Sequence, residues 1–198
     1  MKLSQKIRLS VVIGIILSMV LSIVGFASDC EDIRQSVLRL HVIAASDTDA
    51  DQALKLKVRD AVLTAGADIF DGSVNVNNAV EKLTPRLHEL ESAAEKTVRE
   101  NGCDYDVDVT LSREFFNTRT YEDITLPAGK YLAVRVVIDE GQGQNWWCVM
   151  FPSLCLSAAR VHTDIDDVLD EKGVRIVEKN PRYEPRFKII ELIEKLKD

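Results

Sequence analysis

Residues 9–26 form an almost unbroken apolar run, with Lys2, Lys6 and Arg8 in front of it. A run of about 18 such residues reaches the length at which a helix can span a bilayer. A basic start, an apolar core and small residues beyond it are also the pattern of a secretory signal peptide. The positive charges stay on the cytoplasmic side and orient insertion. Everything after residue 27 is therefore expected outside the membrane. Gly25 and Ala27 occupy the small-residue positions and set the expected cut between Ala27 and Ser28. Left uncut, residues 1–27 are a signal anchor that tethers the rest by one helix. Asp29, directly before Cys30, stands where lipid modification of that cysteine would want a small residue.

Residues 28–198 suit one domain, since no linker-like composition divides them. The chain carries a formal net charge of −7. Residues 1–27 hold three basic groups and no acidic one, so the remainder stands three units lower, at −10. That balance disfavours nucleic acid and anionic lipid, whose phosphates call for clustered Lys and Arg. It suits a protein that touches another protein, with the membrane engaged only through residues 1–27.

Residues 36–44 alternate apolar and polar, as a half-buried strand does. Ser46, Asp47, Thr48 and Asp49 supply capping oxygens for a helix over residues 51–67. An amphipathic pattern covers 76–100, broken by Pro85, which removes a helical hydrogen bond and fits best at a first helical position with Thr84 as cap. Strands follow over 105–111, weakly over 119–126, and most clearly over 130–139. A short apolar piece at 146–156 and a helix over 185–197 complete the chain. This order predicts an α+β fold: a mainly antiparallel sheet with helices packed on one face, behind the N-terminal export helix.

The chain has four cysteines. A hairpin centred on Phe151-Pro152 sets Cys148 opposite Cys155, and directly opposed residues lie about 4.5–5.5 Å apart at Cα, within disulfide reach. The alternative is two reduced, half-buried thiols. Cys30 and Cys103 are a weaker pair, because nothing local sets their distance. A cysteine nucleophile needs a His base and an orienting acid. His162 and Asp164 follow Cys155, but no family-type signature surrounds any cysteine. His41 is expected to face outward from its strand, and His88 to lie at the surface. Asp47, Asp49 and Asp51 open like a calcium loop, yet Gln52 and Val58 stand where Gly and Glu are required; capping explains the acids. No phosphate loop, dinucleotide fingerprint or zinc spacing occurs, so no cofactor and no catalytic or metal residue is expected.

Trp146 and Trp147 are the two tryptophans of the chain. On a strand they point to opposite faces, so one can enter the core while the other stays outside as an interface anchor. Both rings packed on the chain's own core is the other reading.

The blocks LRLHVIAASDTDADQALKLKVRDAVL (38–63), QNWWCVMFPSLCL (144–156) and RFKIIEL (186–192) resemble the stage II sporulation protein R family of endospore-forming bacteria. Residues 158–179 match nothing in that pattern. The resemblance implies a signalling protein and not an enzyme, made in the forespore and exported into the intermembrane space. There it would activate a membrane-embedded aspartyl protease, which processes the pro-form of sigma-E in the mother cell. The family pattern brings no catalytic set. The receptor-contact surface expected here is Asn145, Trp146, Trp147 and Phe151, with a charged rim of Lys55, Lys57, Arg59 and Asp60. An exported cysteine-dependent hydrolase using Cys148 or Cys155 with His162, and a structural spore-envelope protein, are the competing classes.

Overall fold

The strand expected at residues 36–44 forms as β1 (Leu38–Ile43), and all of it is buried. Its alternation implied half-burial; its place in the sheet explains the difference. The computed structural model describes residues 3–121, 124–152, 165–178 and 184–197. Before β1 comes α1 (Leu3–Gln35), one uninterrupted helix of 33 residues. After it come α2 (Asp49–Phe70), α3 (Val76–Leu83), a 3-10 turn (Thr84–Arg86) and α4 (Leu87–Glu100). The strands β2 (Val107–Phe116), β3 (Arg119–Tyr121), β4 (Ile124–Leu126), β5 (Gly129–Ile138) and β6 (Asn145–Phe151) follow. The described chain ends with α5 (Ile165–Val168), α6 (Glu171–Val177) and α7 (Glu184–Lys197).

Four strands pair in the order β2-β5-β1-β6, while β3 and β4 form a separate ribbon. β5 runs antiparallel to β2, β6 antiparallel to β1, and β1 parallel to β5. The fold is α+β with a mainly antiparallel sheet. A parallel neighbour needs a long crossover, and the three helices between β1 and β2 leave room for β5 to return beside β1. β1 is thus an inner strand, covered on both faces.

Local signals explain the helix boundaries. Thr48 caps α2 by accepting a hydrogen bond from the Asp51 backbone N–H, and Asn75 caps α3 in the same way. Pro85 lies in the 3-10 turn, where its missing N–H does least harm. Thr84, expected to open the following helix, instead closes α3: its hydroxyl donates to the Val80 carbonyl at 2.8 Å.

On the first face of the sheet, Leu38, Leu40, Val42, Val134 and Val136 pack against Val58 and Val62 of α2, Leu83 of α3, and Leu90, Ala94 and Val98 of α4. Full burial of each such Leu or Val is worth about 1.5–3 kcal/mol. The helices were expected on one face only; they occupy both. Phe26, Cys30 and Ile33 of α1, Ile176 of α6 and Phe187 and Ile190 of α7 cover Phe116, Tyr131, Ala133 and Val149 on the second face. The two short helices α5 and α6 fall where the sequence offered no pattern. Asp170 caps α6 by accepting from Gly173 N–H at 2.7 Å. At the start of β5, Gly129 adopts φ +143°, and a Cβ there would meet Arg34 Cδ at 2.6 Å. That close approach lets Arg34 donate to the Ala128 carbonyl at 2.9 Å and tie α1 to the sheet.

Candidate functional site

The register between β1 and β6 pairs Ile43 with Asn145, Val42 with Trp146 and His41 with Trp147. Successive strand residues face opposite ways, so Trp146 turns toward α2 and Trp147 toward the second face. Trp146 is 36 % exposed. The Arg59 guanidinium lies 4.6 Å from its centroid and pairs with the Asp60 carboxylate at 2.7 Å. A cation over an indole face is attracted by the ring quadrupole, worth about 0.5–1 kcal/mol where solvent reaches it.

Trp147 is half-buried. It stacks on His41 and meets the Phe116 ring edge-on at 4.7 Å. His41, expected outward, is buried; the covering ring comes from the neighbouring strand and was invisible to local alternation. Its Nδ1 lies 2.5 Å from Glu114 Oε2 and its Nε2 lies 2.7 Å from Asn145 Oδ1. Glu114 also faces Arg135 Nε at 3.3 Å and accepts from the Ser112 hydroxyl at 3.1 Å.

Two residues earlier on β1, the Arg39 guanidinium is fully buried, 4.0 Å from the Phe116 centroid and 4.9 Å from that of Tyr131. It donates to the Tyr121 hydroxyl, and its Nη1 has no hydrogen-bond partner. Burial lowers its pKa, with Tyr121 and Tyr131 acting the other way. The Tyr121 hydroxyl in turn donates to the Trp147 carbonyl at 3.3 Å.

Between α2, β3 and β6 lies an open groove of about 690 Å³. Ala53 and Leu56 form one wall, Arg119, Thr120 and Tyr121 the other, and Asn145, Trp146 and Trp147 run along it. Among the described residues its charged lining is Lys55 and Arg119. Arg119 is exposed and forms no ion pair among the described residues.

Of the expected contact residues, the fold therefore gathers Asn145, Trp146, Trp147, Arg59 and Asp60 around one edge. Lys55 lines the groove with them but not as a rim, and two others stand apart. Lys55 is not a charged rim: it is buried, donating to the Gln144 carbonyl at 2.9 Å and to Gln52 Oε1 at 2.5 Å. Burial lowers its pKa, opposed by Asp47. Lys57 is exposed but reaches the other way, to Asn101 Oδ1 at the end of α4. Phe151 is in the core against the Phe70 ring, 5.8 Å between centroids, because a register shift near Leu38 and Arg39 interrupts the alternation of β6. Sequence reasoning missed His41, Glu114, Arg119 and Tyr121, all from strands far away along the chain. Only the weak strand at 119–126 hinted at two of them.

The acids that opened like a calcium loop serve local backbone and side-chain bonds. Asp47 accepts from the Gln144 N–H at 2.7 Å, and Asp51 accepts from the Ser46 hydroxyl. The Ser46 bond, aided by Thr48, holds the Asp51 carboxyl below the usual carboxylate range, against its own partial desolvation. Cys148 is disulfide-bonded, whereas Cys30 and Cys103 are free, so the suggested Cys30–Cys103 bridge is not formed. Cys155, His162 and Asp164 lie outside the described residues. Ala27 and Ser28 lie inside α1, between the buried side chains of Phe26 and Cys30.

The family model described as stage II sporulation protein R matches residues 34–161, the stretch that contains strands β1 to β6 and the groove. The chain belongs to the stage II sporulation protein R family. Its relative of that name in Bacillus subtilis (strain 168) is 33 % identical over 123 residues. The aligned stretch is 62 % of this chain and 55 % of the relative, so the chain spans little more than half of that protein's length. No solved structure matches. The family match begins at the end of α1 and stops before α6 and α7. Around the core shared with stage II sporulation protein R, α1 adds a helix long and apolar enough to cross a membrane, by length and composition. That helix is compatible with export.

Proposed function

We propose that this chain is an exported sporulation signal that binds and activates a membrane-embedded aspartyl protease, and so leads to processing of the pro-form of sigma-E in the mother cell. In this reading it works by contact and not by catalysis, from the intermembrane space on the forespore side. The observation that carries it is the groove beside Trp146, aromatic and cationic in lining within a domain that is acidic as a whole. Aromatic rings and arginines are the side chains that dominate protein interfaces. A groove whose described lining carries two cations suits an acidic segment of a partner.

Binding can activate the protease only through unequal affinity for its inactive and active states. The continuous helix α1 favours the anchored alternative: an uncut anchor holds the groove close to a membrane and restricts its search for a receptor in the opposing bilayer. Family membership supports the sporulation role; the protease and sigma-E steps are the resemblance carried forward.

Co-expression with the membrane protease and the sigma-E precursor tests the reading. Processing is expected to depend on this chain, and to be lost with Trp146→Ala and with Arg119→Glu while the protein remains folded. Full processing with both variants would remove the groove from the mechanism. Processing without the chain would remove the activation role itself.

A further inference from the structure

His41 has an acceptor at each of its ring nitrogens. Nδ1 lies 2.5 Å from Glu114 Oε2, and Nε2 lies 2.7 Å from Asn145 Oδ1. A carboxylate and an amide oxygen have only lone pairs to offer, so both ring nitrogens donate. A neutral imidazole has one N–H and an imidazolium two, so this arrangement calls for the charged ring. The Trp147 indole lies over the face of that ring with centroids 3.7 Å apart, where a cation is attracted by the indole quadrupole. The charged and titratable groups around it come from four strands among the described residues. β2 brings Glu114, which favours the cation. β5 brings Arg135, which opposes it but shares the same carboxylate, its Nε 3.3 Å from Glu114 Oε1. On β1 the Arg39 guanidinium lies over the Phe116 ring, and β3 brings Tyr121, whose hydroxyl meets the Trp147 carbonyl. β6 adds Asn145 and Trp147, neither of which titrates.

Asn145 connects this ring to the groove. It is exposed, and it lines the groove with Arg119, Trp146 and Trp147. A side-chain amide has one oxygen and two N–H donors. With Oδ1 taken by His41, the NH2 group is left for the groove, and it has no partner among the described residues. Without the second ring proton, Nδ1 still donates to Glu114 while Nε2 becomes an acceptor. The amide then has to turn over to give Nε2 an N–H, and its oxygen faces the groove instead. Glu114, His41 and Asn145 thus form a chain with two settings, donor outward or acceptor outward, that differ by one proton.

We propose that His41 is a positioning residue for the groove: as an imidazolium it fixes the Asn145 amide with its NH2 group outward, adding a donor to the cation of Arg119 where a carboxylate of the partner binds. Loss of the ring proton turns the amide over and sets its oxygen against that carboxylate. The inference rests on the groove as the contact for an acidic segment, and it names the group that selects such a segment. Hydrogen bonds to an ionised carboxylate are the strong ones, so the donor-outward setting is the one a carboxylate favours. By reciprocity, the protonated ring favours the carboxylate by the same factor. Affinity for an acidic segment is therefore highest at the acid end of about pH 5.5–8, the range in which histidines change charge while carboxylates stay ionised.

The test is nitrogen NMR on the full chain in detergent micelles, isotope-labelled at histidine, asparagine and arginine, over about pH 5.5–8. His41→Gln assigns the His41 signals among the three histidines; if that variant does not fold, His88→Gln and His162→Gln assign them by elimination. The probe is the peptide acetyl-Glu-Leu-Glu-amide, with acetyl-Gln-Leu-Gln-amide as its neutral match. Both His41 ring nitrogens should carry protons at the acid end and one at the alkaline end, and the Asn145 side-chain amide signal should move with the same midpoint. The acidic peptide should shift that amide signal at the acid end and lose its effect at the alkaline end, while the neutral peptide does neither. Asn145→Asp, which has no donor to offer, should keep both ring protons at the alkaline end and lose the response to the acidic peptide. A bare ring nitrogen on His41 at the acid end would overturn the positioning role. So would an acidic peptide that moves the Arg119 signals and leaves Asn145 silent, although the groove would then remain the contact. Two ring protons with no response to the acidic peptide at either Arg119 or Asn145 would sink the choice of ligand, and the acidic-segment reading of the groove with it.

Discussion

The His41 imidazole stacks on the Trp147 indole, with centroids 3.7 Å apart and planes 17° from parallel. The two residues face each other across β1 and β6, and the stack holds Trp147 where its carbonyl meets Tyr121. Its neighbour Trp146 has no such ring stack among the described residues; its ring leans on Arg59 at the groove. The two tryptophans are thus separable, one in the sheet's own packing and one exposed at the groove, where the proposed contact falls.

Trp147→Ala should destabilise the protein by about 2–4 kcal/mol, since it opens a cavity between His41 and Phe116. Trp146→Ala should cost no more than about 1 kcal/mol, the loss of an exposed cation–π contact. Urea unfolding of the two variants checks this. Equal losses would show that Trp146 is as much a core residue as Trp147.

Arg39 is held by aromatic faces, with no carboxylate partner among the described residues. Burying a charge is costly, and an apolar residue of similar reach can replace it at little loss. Arg39→Met should therefore change stability by less than about 1.5 kcal/mol. Arg39→Ala should cost about 3 kcal/mol through the cavity it leaves. Arg39→Lys should fare worse than Met, because an ammonium cannot stack on the Phe116 ring. Thermal and urea denaturation rank the three; lysine tolerated better than methionine would contradict the stacking argument.

The Asp51 carboxyl titrates below its ordinary range in the folded protein, first through the Ser46 hydroxyl. A group whose folded pKa lies below its unfolded one stabilises the protein above the unfolded value, and that contribution fades as pH falls through the folded value. Asp51→Asn should lower stability at neutral pH and flatten the acid limb of the stability curve, measured by urea midpoints between neutrality and strong acid. A parallel curve for variant and parent would show that Asp51 makes no such contribution.

The Ala27–Ser28 bond sits within α1, and Phe26 and Cys30 on either side are buried against the second face. Cleavage of a folded chain requires local opening, which here would expose both side chains. The exported protein should retain residues 1–27, and its intact mass decides the matter. Thiol labelling of the native chain should modify Cys103, which is partly exposed, and spare Cys30, which is buried.

The amino-acid sequence alone determined the elements whose evidence is local. Residues 9–26 announce a membrane segment by length and apolarity, Thr48 and Pro85 mark helix boundaries by what their atoms can and cannot bond, and the alternation at 130–139 marks β5. Alternation also separated the two tryptophans onto opposite faces before any partner was known. It failed at His41 and Phe151, because alternation tells which residues share a face and not what lies over that face. Only the tertiary structure decided that β5 returns parallel to β1, that Trp147 roofs His41, that Arg119 and Trp146 share a groove, and that α7 rests against the end of α1. Each of these joins residues distant along the chain, and such pairings are chosen by how whole faces pack together, which no local pattern records.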